Sequence, residues 1–375
     1  MTAERLDVVV LGLSITSSWG NGHATTYRAL MRALHERGHR VLFLERDVPW
    51  YAANRDLPAP PYGRTALYGS LAELREAHGA AIRGADLVLV GSYVPDGAEV
   101  LRLVQDLACG MVAFYDIDTP VTLERLRRGE CEYLRTELVP RLDLYLSFTG
   151  GPTLHRIERE LGAPFARALY CSADPEVHRP SCAAPRLDLG YVGTYSADRQ
   201  PALERLLVEP ARRSPRLRFA VAGPQYPAEL RWPENVERLE HLPPGAHADF
   251  YAAQRFTLNV TRADMVRAGW SPSVRLFEAA ACGTPILSDP WPGLETFFEP
   301  GREILIARTT EDALRVLTRM GDDERRVLGA RARRRVLSGH TAAHRARELE
   351  GFLLEARERR ARRRAPKEKA RPAAS

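Results

Sequence analysis

Lysine is almost missing from this 375-residue chain: the only two are Lys367 and Lys369. Their place near the C-terminus excludes from the rest of the chain a Walker A loop, a Schiff base and a phosphate-binding lysine. Any anion bound there must be met by arginine and backbone N–H groups. Cysteine is also scarce. Cys109, Cys131, Cys171, Cys182 and Cys282 form an odd set without a C-x-x-C pair. That argues against a disulfide framework, leaves buried free thiols as the default, and gives no reason to expect a zinc site. No apolar run approaches the roughly 20 residues of a membrane helix. A strand begins almost at the N-terminus, so no signal peptide is expected and the expected location is cytoplasmic.

Net charge is low where it matters. The chain sums to +6, but residues 355–371 hold nine Arg or Lys against three Asp or Glu, which is +6 by itself. The remainder is balanced, so the body is not a nucleic-acid-binding surface. The basic stretch reads as a frayed, disordered tail from 357 to 375, with weak attraction to an anionic membrane surface as its one conceivable partner.

What is present is a repeated strand–loop–helix pattern. Asp7–Leu13 is an apolar strand, followed by a small, polar, Gly-bearing loop from Ser14 to Thr26. Tyr27, Leu30, Met31 and Leu34 then fall at helical spacing, and Val41–Leu44 is a second strand. The glycines do not form a G-x-G-x-x-G fingerprint. Residues 47–70 read as a long, functional loop. Leu87–Val90 and Met111–Phe114 are further strands, each running into a polar loop: Gly91–Asp96, with Tyr93, and Tyr115–Pro120, with Asp116 and Asp118. A helix is expected near 130–139 and a strand at Leu144–Phe148. After a Pro- and Ala-rich stretch at 179–186 the pattern restarts. Strands are expected at Leu187–Val192, Leu217–Ala222, Val236–His241 and Phe256–Val260, and helices near 310–319, 323–337 and 341–364. In open α/β sheets ligands bind at the carboxyl ends of the strands, which is where these loops lie.

The most informative run is Ser271 to Asp289. Ser271 reads as an N-cap and Pro272 as the first helical residue. Gly283 closes the helix in a left-handed conformation, and Pro285–Leu287 is a buried strand. A helix N-terminus presents free N–H groups and partial positive charge, which suit a phosphate. Glu278 is a lone acid among apolar neighbours. Read from chemistry alone, it is equally a surface residue on a core helix.

This run resembles the donor-binding helix of GT-B glycosyltransferases, and most closely that of the spore-maturation-protein (CgeB-like) glycosyltransferases. The likeness covers most of the chain but is specific mainly in 259–300. It implies an α/β chain of two Rossmann-like domains facing across a cleft. Residues 1–178 would be the acceptor-side domain, 179–186 the linker, 187–340 the donor domain, and 341–356 a C-terminal helix that in GT-B enzymes returns to the first domain. Cys171–Pro180 looks like the GT-B hinge. The implied function is transfer of a sugar from a nucleotide diphosphate sugar to a small-molecule, glycan or protein acceptor, without metal and without a tightly bound cofactor. Glu278 would hold the ribose hydroxyls. Gly193, Thr194, Tyr195, Arg199, Arg262, Ser271, Ser273 and Arg275 would line the donor, with Arg267 a further candidate cation. His23 is the first candidate for the base an inverting transfer needs, and Asp116 the second. Asn21, Gly22, Tyr93 and Asp118 belong to loops lining the cleft. Asp116-Ile117-Asp118 also resembles the D-x-D metal motif of GT-A enzymes, but the rest of the chain looks like the other fold. Many retaining GT-B enzymes carry a second Glu eight residues before the first; here Trp270 stands there, leaving the stereochemistry open. The alternatives are a non-hydrolysing nucleotide-sugar epimerase and a catalytically silent nucleotide-sugar-binding protein.

Overall fold

A computed structural model describes residues 5–182 and 184–364. The first half contributes β1 (Asp7–Gly12), β2 (Arg40–Arg46), β3 (Arg64–Tyr68), β4 (Leu87–Gly91), β5 (Met111–Asp116), β6 (Leu144–Ser147) and β7 (Ala166–Ala168). They form one sheet in the order β3-β2-β1-β4-β5-β6-β7, with every pairing parallel. The second half contributes β8 (Leu187–Val192), β9 (Phe219–Ala222), β10 (Val236–Leu239), β11 (Gln254–Asn259), β12 (Ile286–Ser288) and β13 (Leu305–Ile306). These lie in the order β10-β9-β8-β11-β12-β13, again all parallel. Strand order reverses between β1 and β4 and between β8 and β11. The crevices at these two reversals are where doubly wound sheets bind ligands.

The apolar runs behave as strands because parallel sheets bury both faces. Val8, Val10, Leu87, Leu89, Met111 and Ala113 pack on one face of the first sheet. Val9, Leu11, Val88, Val90, Val112 and Phe114 pack on the other. The first of these cores does not stop at the domain boundary. It runs on through Leu169, Cys171 and Ala173 to Leu276, Phe277 and Ala280 of the second domain. It also takes in Ala346, Leu349, Leu353 and Ala356 of the helix Ala342–Arg364. That helix lies along the first-domain helix His23–Glu36. Each fully buried leucine there contributes about 1.5–3 kcal/mol. Glu350 pairs with both Arg37 and His39, and Arg360 with Asp143. The chain crosses between domains twice at one place: Ala173 N donates to His340 O, and Ala342 N to Ala173 O.

Several local expectations are corrected. The stretch 47–70 is not one loop: it holds a short helix, Pro49–Ala52, and the edge strand β3. β3 was hidden because an edge strand needs no apolar run, and only Tyr68 in it is buried. No α-helix spans 130–139; a 3-10 turn covers Thr136–Arg141, while the α-helix is Thr119–Arg128. Pro120 sits in its first turn, where a missing N–H costs nothing, so it starts the helix instead of preventing it. The basic stretch is helical through Arg364, and the rest of the expected disordered tail lies outside the described residues. No helix among the described residues is long and apolar enough to cross a membrane.

Candidate active site

The helix expected to open at Pro272 begins two residues later, at Val274, and ends at Ala281. Ser273 occupies the N-cap, with extended dihedrals and no side-chain capping bond. Ser271 and Pro272 are drawn to the first domain instead. Ser271 Oγ shares a 2.8 Å hydrogen bond with Thr149 Oγ1, and Pro272 O accepts from Cys171 Sγ. Ser271 is therefore an interdomain contact and not a phosphate ligand. Trp270 adopts φ 44 and packs between Gly151 and Gly293, where a Cβ on either glycine would come within 2.6 Å of its ring. Of the glycines of Thr149–Pro152, Gly151 thus receives the indole and Gly150 the Tyr170 hydroxyl.

Behind this clamp the second-domain wall is built on Arg275. Its guanidinium lies over the Tyr191 ring at 4.7 Å. It donates to Val192 O, to Asn259 Oδ1 at 3.1 Å and to Ser273 Oγ at 3.1 Å. Gly193 makes room for it: a Cβ there would sit 2.8 Å from Arg275 Nη2 and 2.6 Å from the Tyr191 hydroxyl oxygen. Gly223, at φ +144, lies so close to Gly193 O that no other residue fits. Arg199 donates to Thr194 O at 2.5 Å, while its Nε is buried without a partner. Burial lowers the Arg199 pKa, and the neighbouring Arg275 and Arg262 charges add to that. Three arginines therefore crowd one place, an arrangement that an anion relieves. Arg262 reaches across the cleft to Asp118 Oδ2 at 3.2 Å and lies 3.9 Å from Asp198. Arg267 is elsewhere, exposed and paired with Asp264 on its own helix. Tyr195 stacks edge-on against Tyr226 and supports the loop from behind.

Glu278 is buried, and its Oε2 accepts from the Tyr251 hydroxyl at 3.1 Å. His178 Nε2 lies 3.5 Å from Oε1 and His247 Nδ1 lies 3.7 Å from Oε2. Burial alone would push the Glu278 carboxyl up; the two histidines and the tyrosine hydroxyl outweigh it and hold the group well below its ordinary range. It is an ionised acid. Burial pushes the His178 imidazole down. Burial acts likewise on His247, but the Glu278 carboxylate prevails and raises it.

The first-domain wall is different. Asn21 is buried and braces its own loop, donating to Ser14 O and Ser17 O and accepting from His23 N. Glu45, fully buried, gathers Ser14, Ile15 and Thr16 through four hydrogen bonds. Gly22 is the N-cap of the helix His23–Glu36. The His23 ring stands edge-on to Tyr93 at 5.3 Å, and its Nδ1 has no partner. Burial pushes the imidazole down to about 4, so it is neutral at pH 7. Tyr93, in a left-handed conformation (φ 63), donates to Asp118 Oδ2 at 3.0 Å. Asp118 Oδ1 is left without a partner, and burial raises the Asp118 pKa. Asp116 is a correction. Its carboxylate is turned into the domain and satisfied by Tyr145, Thr122 and the Asp118 N–H. Burial pushes it up to about 6. It serves the fold and does not reach the cleft, so it is neither a base for an acceptor nor half of a D-x-D metal site.

Between the two walls lies a cavity of about 170 Å³. Asn21, Gly22 and Thr25 line it from one side; Gly193, Thr194, Gly223, His241, His247, Arg275 and Glu278 line it from the other. Trp19 and His241 stack across its rim at 4.4 Å. A larger groove of about 380 Å³ runs beside the helices Thr119–Arg128, Pro152–Glu160 and Ala263–Ala268. Its charges are satisfied locally, Glu124 by Arg127, Arg156 by Glu160 and Arg267 by Asp264, so the smaller cavity is the better candidate. Sequence reasoning missed Glu45, Tyr191, His178, His247, Tyr251 and Asn259. Only His247 and Tyr251, four apart on one helix, share a local spacing; the fold brings the others to them.

Residues 199–351 match the family model described as glycosyl transferase-like. No curated protein matches the sequence. Among solved structures, sucrose-phosphate synthase from Thermosynechococcus elongatus superposes with a TM-score of 0.67 at 15% identity, covering 94% of this chain and 99% of that one. HepE from Anabaena, in complex with UDP and glucose, gives 0.68 at 12%, covering 93% and 100%. The catalytic domain of starch synthase IV from Arabidopsis thaliana, bound to ADP and acarbose, gives 0.61 at 12%, covering 94% and 99%. The chain thus has the GT-B glycosyltransferase fold, and its second half is similar to the glycosyl transferase-like family.

Proposed function

We propose that the protein is a glycosyltransferase that moves a sugar from a nucleotide diphosphate sugar to an acceptor, with the donor held by the second domain. One observation carries this reading: Arg275 and the buried, ionised Glu278 line a single cavity at the strand-order reversals of two parallel sheets, with Arg199 and Arg262 close to Arg275. Glu278 takes the ribose hydroxyls as an anionic acceptor. Arg199, Arg262 and Arg275 take the diphosphate, aided by the N–H groups at the start of Val274–Ala281. The base lies toward Gly223 and His241. Because these cations neutralise the leaving diphosphate, the transfer calls for no metal ion.

The acceptor meets the donor from the first domain. We assign to His23, neutral and next to the cavity-lining Gly22, the role of taking the acceptor's proton in an inverting transfer. The structural neighbours with UDP and with ADP support a nucleotide donor without choosing between bases. The run 259–300 supports the closer CgeB-like resemblance. A thermal-shift screen against nucleotide sugars, followed by an assay for nucleotide diphosphate release, tests the reading. Stabilisation by one donor with slow release is expected. No stabilisation by any nucleotide sugar would refute it.

A further inference from the structure

His178, His247 and Glu278 come from three separate segments: the hinge, the short helix His247–Ala252 and the helix Val274–Ala281. Their ligating atoms all lie within 4.8 Å of one another. His247 Nε2 lies 3.3 Å from Leu242 O, an interaction that calls for a proton on Nε2. In the neutral ring this leaves the Nδ1 lone pair directed at the Glu278 carboxylate, 3.7 Å away. His178 is 4% exposed, and neither of its ring nitrogens has a hydrogen-bond partner. Buried polar atoms without partners are rare and point to a missing proton, water or ion. Here three electron-pair donors converge on one another, and a cation between them satisfies all three.

We propose that these residues form a binding site for a divalent ion of the zinc class, and that the ion antagonises the sugar donor. Two imidazoles and a carboxylate are a donor set that zinc accepts. A tetrahedral ion with bonds of about 2.0–2.1 Å places its ligand atoms about 3.3 Å apart. The two histidine-to-glutamate separations, 3.5 Å to Oε1 and 3.7 Å to Oε2, are close to that, and the whole set lies within 4.8 Å, so binding through one carboxylate oxygen draws the ligands inward. The outer partners are of the usual kind: Leu242 O orients His247, and the Tyr251 hydroxyl holds Glu278. Two of the three residues, His247 and Glu278, also line the cavity. The antagonism rests on the donor reading, because the ion and the ribose hydroxyls both require Glu278. The absence of C-x-x-C pairs gave no hint of such a site, which uses no cysteine.

The experiment uses the full chain, stripped with a chelator and titrated with Zn²⁺ by calorimetry and with Co²⁺ by visible absorption. One ion per chain, with Co²⁺ bands of a four-coordinate site, is expected. Both are lost in the His178→Ala/His247→Ala variant, whose folding is checked by circular dichroism. X-ray absorption of the wild-type zinc complex gives a readout independent of any variant: nitrogen and oxygen neighbours are expected, and a sulfur shell from the free cysteines overturns the site. So does an unchanged ion stoichiometry in the folded double variant, or no binding at all. With Zn²⁺ at ten times its own dissociation constant, the apparent affinity for UDP or ADP should fall about tenfold. Ion binding that leaves nucleotide affinity unchanged overturns the antagonism. Failure of every nucleotide to bind the metal-free protein counts against the donor reading and leaves the ion site standing.

Discussion

The loops after β8 and β11 put Arg199, Arg262 and the approach to Arg275 on one side of the cleft, with Glu278 behind them. The topologically equivalent loops after β1 and β4 put His23 and Tyr93 on the other, with Asp118 beside them after β5. The strands share one order, so the difference lies in what the loops carry. Backbone N–H groups are common to both walls, but only the second adds a cluster of guanidinium groups, held in place by Tyr191, Asn259 and a glycine small enough to admit them. The first wall presents the neutral His23, the Tyr93 ring and a single acid, Asp118, and is braced from behind by Glu45 and Asn21. One wall is suited to an anionic donor, the other to a neutral hydroxyl that must lose a proton.

The comparison breaks most sharply at His23. His23→Ala should lower kcat by about 10²–10⁴-fold while leaving donor affinity nearly unchanged, because a base acts on the acceptor and not on the nucleotide. Steady-state kinetics alongside a binding titration checks this; equal activity removes His23 from the mechanism. Burial holds its pKa near 4, so kcat should be flat through neutrality and fall only as acid protonates the ring. An inflection near the ordinary histidine value would show that the ring is not in this environment during turnover.

On the other wall the effects should fall on binding. Glu278→Ala removes a charge-assisted bond of about 1.5–3 kcal/mol, which weakens donor binding by about 10–150-fold. Arg262→Ala should weaken it by about tenfold, since Arg262 is one of three cations and is shared with Asp118. Arg262→Lys should restore part of that loss, because it returns the charge without the planar fork. Calorimetric titration with the preferred nucleotide reads all three variants. Loss of kcat with unchanged donor affinity would reverse the assignment of the walls.

The smallest effect is expected at Asp116. Asp116→Asn should change kcat by less than about twofold in the folded protein, because the carboxylate never reaches the cleft. Its signature is in stability. The folded group titrates near 6, above the unfolded value of 3.8. Its contribution is therefore full below about pH 4 and lost as pH rises through 6. Melting curves from pH 4 to 7 should show this slope in the wild type and less of it in the variant.

The sheet strands were legible because buried parallel strands write themselves as apolar runs, and DVVVLG and LVLVG could hardly be anything else. The helix holding Glu278 was legible for its composition and its terminal glycine, which does take φ +75. Its start was not, because Ser271 and Pro272 answer to Thr149 and Cys171, more than a hundred positions away. The helix after Asp118 was missed through its proline, a breaker in the interior but a natural first-turn residue. The D-x-D spacing misled for a related reason: two carboxylates two residues apart diverge, Asp116 inward and Asp118 to the cleft. His178 and His247 carried no local signal: the hinge stretch brings His178 to Glu278, and the packing of His247–Ala252 against Val274–Ala281 brings His247.

The most direct test is a calorimetric titration of UDP, ADP and their sugar conjugates into the metal-free wild type and the Glu278→Ala variant. One-to-one binding of at least one nucleotide to the wild type, weakened about 10–150-fold by the substitution, is the expected result. Binding that is the same in both proteins, or absent from the wild type with every nucleotide, would contradict a donor site built on Glu278.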